Sequence, residues 1–157
     1  MKTRYIDLIE QTFDFPKDEF KFVNEQLTWN DLPLMEIIEK HGTPLRITYL
    51  PKIGEKIDQA REYFAKAFKE HNYNGSYEYF YCTKSNHFSY VIEQVLEKGV
   101  SLETSSAYDI EIIELLMERG KLSRNATVLC NGYKDARYIA NIGRLKNSGV
   151  NVIPIID

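Results

Sequence analysis

From residue 78 to the end, the chain alternates short apolar runs with longer stretches in which apolar residues recur every three or four positions. Runs at 78–84, 100–104, 126–131 and 151–156 are short enough for strands. The stretches between them, near 87–98, 107–119 and 134–147, carry the stripe of an amphipathic helix, as in Val91, Ile92, Val95 and Leu96. Gly99, Gly120 and Gly149 close these helices, and Ser106 with Asp109 three positions on forms a near capping box at the start of the second. Regular strand–helix alternation predicts βαβ units and a parallel sheet. Upstream, apolar positions at Ile57, Ala60, Tyr63, Phe64, Ala67 and Phe68 predict a helix over 55–71. The alternating Leu45-Arg46-Ile47-Thr48-Tyr49-Leu50 predicts a half-buried strand, broken by Pro51 to Gly54. The first forty residues are less regular, with a short strand over 20–23 and a short amphipathic helix over 34–40 ended by Gly42 and Pro44.

At this resolution a doubly wound sheet and a barrel remain equal alternatives. In both, ligands bind at the carboxyl edge, at or next to the ends of the strands. Lys84, Glu103, Asn131 and Asp157 all fall at such positions.

Length and charge narrow the setting. The 157 residues suffice for a domain with a real core, and a net charge of −3 with interspersed signs offers no nucleic-acid stripe or anionic-membrane patch. No apolar run reaches the ~20 residues of a membrane span, and Met1 to Asp7 lacks the apolar region of a signal peptide, so a cytoplasmic protein is expected. Cys82 and Cys130 sit inside apolar runs without metal-ligand spacing and read as reduced core thiols. His41, His71 and His87 are too dispersed to suggest a metal site.

The chemistry concentrates at Tyr79-Phe80-Tyr81-Cys82-Thr83-Lys84-Ser85-Asn86, an aromatic strand ending on a lysine. A lysine with its stem in apolar surroundings loses preference for the ammonium form and can attack an aldehyde. The ordinary reading is a lysine that snorkels from a strand end to water. Four blocks in order tilt the balance: His41-Gly42-Thr43-Pro44-Leu45, Tyr81-Cys82-Thr83-Lys84-Ser85-Asn86-His87-Phe88, Leu102-Glu103-Thr104-Ser105-Ser106-Ala107 and Leu129-Cys130-Asn131-Gly132-Tyr133-Lys134. Together they resemble the fold-type III pyridoxal-phosphate (PLP)-dependent decarboxylases, and within these the biosynthetic arginine decarboxylase family, from about Phe20 to Asp157.

The resemblance implies an α/β fold: about the first four strands of a (β/α)8 TIM-type, alanine-racemase-like PLP-binding barrel. Residues 1–50 would be an N-terminal extension whose strand joins a β domain, and 51–157 the first half of the barrel. The remaining barrel and the C-terminal β domain would be absent. It implies Lys84 as the Schiff-base lysine, Cys82 beneath the cofactor ring on the same side as Lys84, and Glu103 as an acid close to both. Ser106, Asn131, Asp157 and His87 are candidate site-lining residues, with helix capping an equal account of Ser106 and helix start the simpler account of His87. Asn131 could bond to neighbouring strand ends, and Lys134 could pair with an acid across the rim. The family's ring-stacking histidine, glycine-rich phosphate loop and pyridine-nitrogen carboxylate have no counterpart among these 157 residues.

The expected function is the N-terminal part of an enzyme converting L-arginine to agmatine and carbon dioxide for polyamine biosynthesis. The whole enzyme would be a homodimer or higher homo-oligomer, with no nucleic-acid or membrane partner and a need for Mg2+ left open. The fragment alone is expected to be inactive, poorly soluble or self-associating. Ornithine, lysine or diaminopimelate decarboxylases are the near alternatives, and a non-catalytic PLP-binding homeostasis barrel is the alternative of another class.

Overall fold

A computed structural model describes residues 19–123 and 125–156. Arg124, Asp157 and the first eighteen residues lie outside the described part, so the site reading of Asp157 has no structural counterpart. The chain divides between Tyr49 and Leu50 into two compact units.

The first unit holds an antiparallel meander, β1 (Phe20–Val23), β2 (Gln26–Trp29) and β3 (Leu32–Pro33), followed by helix α1 (Leu34–His41). Both hairpin turns have two residues at positive φ: Asn24 and Glu25 at 48° and 63°, Asn30 and Asp31 at 49° and 63°. Those are the angles of a type I′ turn, whose twist matches the strands it joins. Trp29 lies opposite Phe20 in the ladder, and its ring packs edge-on against Tyr49 with centroids 5.8 Å apart.

The strand expected over 45–50 does not form. Ile47 and Tyr49 are half-buried on either side of the exposed Thr48, so the alternation holds over 46–49, but among the described residues this segment pairs with no strand. Alternation specifies a face, whereas a strand also needs a ladder partner.

The second unit opens with α2 (Pro51–Glu70). Pro51 to Gly54, expected to end the preceding strand ahead of a helix beginning at residue 55, form the first turn of that helix. Proline's fixed φ suits the first helical position, where no N–H is needed. The parallel sheet follows: β4 (Phe80–Cys82), β5 (Ser101–Thr104), β6 (Thr127–Cys130) and β7 (Asn151–Pro154), hydrogen-bonded in sequential order. Helices α3 (Ser89–Glu97), α4 (Ala107–Glu118) and α5 (Ala136–Asn147) connect them.

Alternation splits the sheet into two faces. Leu102, Val128 and Cys130 are fully buried in one core with Ile57 of α2, Ile92 and Val95 of α3, Ile110 and Ile113 of α4, and Tyr138 and Leu145 of α5. All four helices therefore cover the same face. Each fully buried aliphatic side chain contributes about 1.5–3 kcal/mol by leaving water. Two helix starts are capped by side chains, the first of them at the Ser106 that the sequence marks. Ser106 Oγ accepts from Asp109 N at 3.4 Å and Asp135 Oδ1 from Tyr138 N at 2.7 Å. Between α4 and α5, Arg144 holds both carboxylate oxygens of Glu114, at 2.7 and 2.8 Å. Among the described residues no helix is long and apolar enough to cross a membrane.

Candidate functional site

The carboxyl ends of all four strands, β4 to β7, are tied together by bonds from residues just past β4, β6 and β7. Thr83, fully buried, donates from Oγ1 to the Glu103 carbonyl at 3.0 Å. The Asn131 backbone N–H donates to the Thr104 carbonyl at 2.8 Å, and that of Ile155 to the Cys130 carbonyl at 2.9 Å. Under this edge, on the helix side, Thr104 Oγ1 lies 2.9 Å from Tyr138 Oη and 3.5 Å from Cys130 Sγ. Burial is the main reason that the Tyr138 hydroxyl and the Cys130 thiol are both pushed up from their ordinary pKa values.

On the opposite face, Cys82 and Glu103 are register partners on adjacent strands, and Leu129 follows Glu103 on β6. The half-buried Glu103 accepts from Asn131 Nδ2 at 3.2 Å. Asn131 Oδ1 accepts from the Gly132 N–H at 2.8 Å. Gly132 sits at φ +76°, and a Cβ there would lie 2.6 Å from the Ser105 carbonyl oxygen. Glycine is thus the residue that lets the β6–α5 turn close onto the β5–α4 turn. Ser105 is itself held by Asp109, whose carboxylate accepts from the Ser105 N–H at 2.8 Å.

Lys84 stands at the same edge, one residue beyond Thr83, but not as strand alternation implies. β4 ends at Cys82, and Thr83–Ser85 form a 3-10 turn in which Lys84 is exposed. The buried bond from Thr83 to Glu103 turns the backbone out of the pleat. Being two residues after Cys82 therefore does not put Lys84 on the same face, and among the described residues nothing buries its side chain. Asn86 shapes the exit of the turn: its carbonyl accepts from Tyr81 Oη at 2.9 Å and its Oδ1 from the Phe88 N–H at 3.1 Å.

The other candidates fall into place around this edge. Asn131 bridges to a neighbouring strand end, at Glu103. Ser106 caps α4. His87 is exposed and precedes the capping residue of α3, Phe88, so it does not start the helix. Lys134 donates to the Gly132 carbonyl at 2.8 Å instead of pairing with an acid. A free carbonyl within reach in its own turn is the closer partner. Cys82 is half-buried and Cys130 buried, both as free thiols. Among the described residues no group of three His, Cys, Asp or Glu side chains could hold a metal. A surface concavity of about 390 Å³ lies elsewhere, lined by Glu114, Met117, Glu118, Arg144 and Ser148. Its one cation, Arg144, is already paired with Glu114.

Sequence reasoning missed Thr83 as the anchor of the lysine turn. A threonine immediately before the lysine was the available signal, but its role depends on a carbonyl one strand away.

No family model matches the chain. Curated relatives do. The chain is 29% identical over 119 residues to the biosynthetic arginine decarboxylase of Alkalilimnicola ehrlichii and 30% identical over 120 residues to that of Prochlorococcus marinus strain MIT 9215, in each case over 74% of this chain and 18% of the relative. It is 32% identical over 112 residues to the Gloeobacter violaceus enzyme, covering 68% of this chain and 17% of that one. The crystal structure of the biosynthetic arginine decarboxylase from Campylobacter jejuni superposes with a TM-score of 0.66 at 22% identity, over 88% of this chain and 24% of that one. That likeness supports the mixed α/β fold with its parallel sheet. By sequence the chain is a relative of the biosynthetic arginine decarboxylases, spanning less than a fifth of the length of these three relatives.

Proposed function

We propose that this chain supplies the lysine-bearing half of the PLP-binding barrel of a decarboxylase that acts on L-arginine. Sequential strand order with the second unit's four helices on one face favours the winding of a (β/α)8 barrel. In a doubly wound sheet the order reverses and helices cover both faces. On that reading the face carrying Cys82, Glu103 and Leu129 is the barrel interior, and its carboxyl edge is the mouth.

The residues present fit one side of the cofactor. Lys84 offers an exposed amine at the mouth, Glu103 a half-buried carboxylate one strand away, and Cys82 a small side chain beside it. When bound, PLP supplies the electron sink that lets an amino acid lose its carboxylate as carbon dioxide. Lys84 Nζ would attach the cofactor covalently and give it up to the incoming amine. Glu103 would orient that amine and hold a proton on a carboxylate oxygen. Cys82 would leave room for the ring. Thr83 would fix where the lysine turn leaves the sheet.

The observation that carries the reading is the placement of Lys84 and Glu103 at the same edge of adjacent parallel strands, in a chain related to enzymes of that name. Arginine as substrate rests on the relatives' names. Incubation with PLP, borohydride reduction and peptide mapping test the reading: selective modification of Lys84, lost in Lys84→Ala, is expected. Modification spread evenly over the lysines would overturn it for this chain.

A further inference from the structure

Glu103 is an unusual carboxylate for its position. It is half-buried, and among the described residues it has no cationic partner; its side-chain hydrogen bond comes from the neutral amide of Asn131. One carboxylate oxygen is engaged and the other is left for a partner from outside the sheet. The amide can take only one orientation. Its oxygen accepts from the Gly132 N–H, which turns the NH2 group towards β5. Gly132 in turn is fixed by its left-handed φ and its close approach to the Ser105 carbonyl. The Asn131 main chain already completes the ladder through its bond to Thr104, so sheet pairing does not require the side chain.

We propose that Asn131 is a positioning residue for Glu103. Held by Gly132, its amide fixes one carboxylate oxygen and leaves the other facing the mouth, where it receives the proton-bearing nitrogen of Lys84 or of an incoming amino acid. This rests on the PLP reading of Lys84. An amide is suited to the task where a lysine or arginine would not be. It orients the carboxylate by a hydrogen bond without neutralising the charge that the incoming nitrogen needs.

The test compares covalent PLP attachment at Lys84 in the unaltered chain, Asn131→Ala, Asn131→Asp and the exchanged pair Asn131→Asp/Glu103→Gln. Attachment is read as the rate of borohydride-trapped modification across pH, with the folded fraction of each variant measured by circular dichroism. Both single variants should lose about tenfold in the Lys84 rate per folded molecule, the factor that a hydrogen bond to a charged group is worth. The exchanged pair restores an amide–carboxylate bond with donor and acceptor reversed. It should regain the thermal midpoint lost in Asn131→Asp but not the Lys84 rate. Asn131→Ala labelled at Lys84 as fast as the unaltered chain, at equal folded fraction, would overturn the positioning role while the Lys84 reading stood. No selective labelling in the unaltered chain would overturn both.

Discussion

Thr83 Oγ1 donates to the main-chain carbonyl of Glu103 across 3.0 Å, so the residue before the candidate lysine is fastened to the candidate acid's own backbone. Two strands are pinned at the level where the site begins, and the turn carrying Lys84 starts from a fixed point. Thr83 is fully buried, so its hydroxyl has no water to fall back on.

Thr83→Val keeps the shape and removes the donor. Loss of one buried hydrogen bond predicts destabilisation of about 1 kcal/mol. Thr83→Ser keeps the hydroxyl and should hold that bond, losing only the packing of a methyl. Urea unfolding of the two variants checks this, and a valine variant at least as stable as the serine one would show that the bond does not matter.

Two glycines make a matched pair of opposite sign. Gly132→Ala forces a side chain into a left-handed φ with its Cβ 2.6 Å from the Ser105 carbonyl oxygen. It should cost more than about 1 kcal/mol. Gly143 lies inside α5 with nothing within 4 Å of an added Cβ. Gly143→Ala should therefore stabilise by about 0.5–1 kcal/mol through helix propensity. Thermal midpoints moving in the same direction would refute the account of the β6–α5 turn.

The second unit was largely legible in sequence because its signal is burial, and burial is periodic. Leu102, Val128 and Cys130 alternate with half-buried neighbours, and the helix stripes point at them. What escaped was set by single bonds or by very short elements. β2 and β3 have four and two residues, too few for a period, and only Asn24-Glu25 and Asn30-Asp31 marked their turns. The direction of Lys84 depends on the side chain before it, which alternation cannot see. Residues 45–49 alternate without a partner strand. At the candidate site, the strand-end positions of Lys84, Glu103 and Asn131 could be read from spacing. The hydrogen bond from Asn131 to Glu103 needed the register, and the orientation of its amide needed the turn at Gly132.

Leu102 probes the core most directly. It is fully buried on the face of the sheet that the helices cover. Leu102→Ala removes that side chain from the core between the sheet and its helices, and should destabilise by about 2–5 kcal/mol depending on how far the cavity collapses. Arg144→Ala breaks an ion pair whose members are largely or partly exposed, so it should cost well under half as much, and less at high salt. Chemical denaturation of the two variants decides whether the second unit is held by its apolar layer or by its surface charges.

The buried Cys130 thiol and Tyr138 hydroxyl predict an alkaline limit to stability. Burial raises both pKa values, so the folded state keeps these protons at pH values where the unfolded chain releases them. For such groups the unfolded state binds fewer protons above its own pKa. Stability is therefore fully present below the ordinary thiol value of 9.0 and declines as pH rises through it, with tyrosine adding to the slope above 10.0. Denaturation midpoints between pH 7 and 10.5 should fall, and Cys130→Ala should flatten the first part of that fall while lowering stability at pH 7. A thiol reagent gives an independent reading: half-buried Cys82 should react in the native protein, and Cys130 only on unfolding. Equal rates at the two cysteines, or a stability profile flat to pH 10.5, would mean that the sheet opens often enough for water to reach beneath its carboxyl edge.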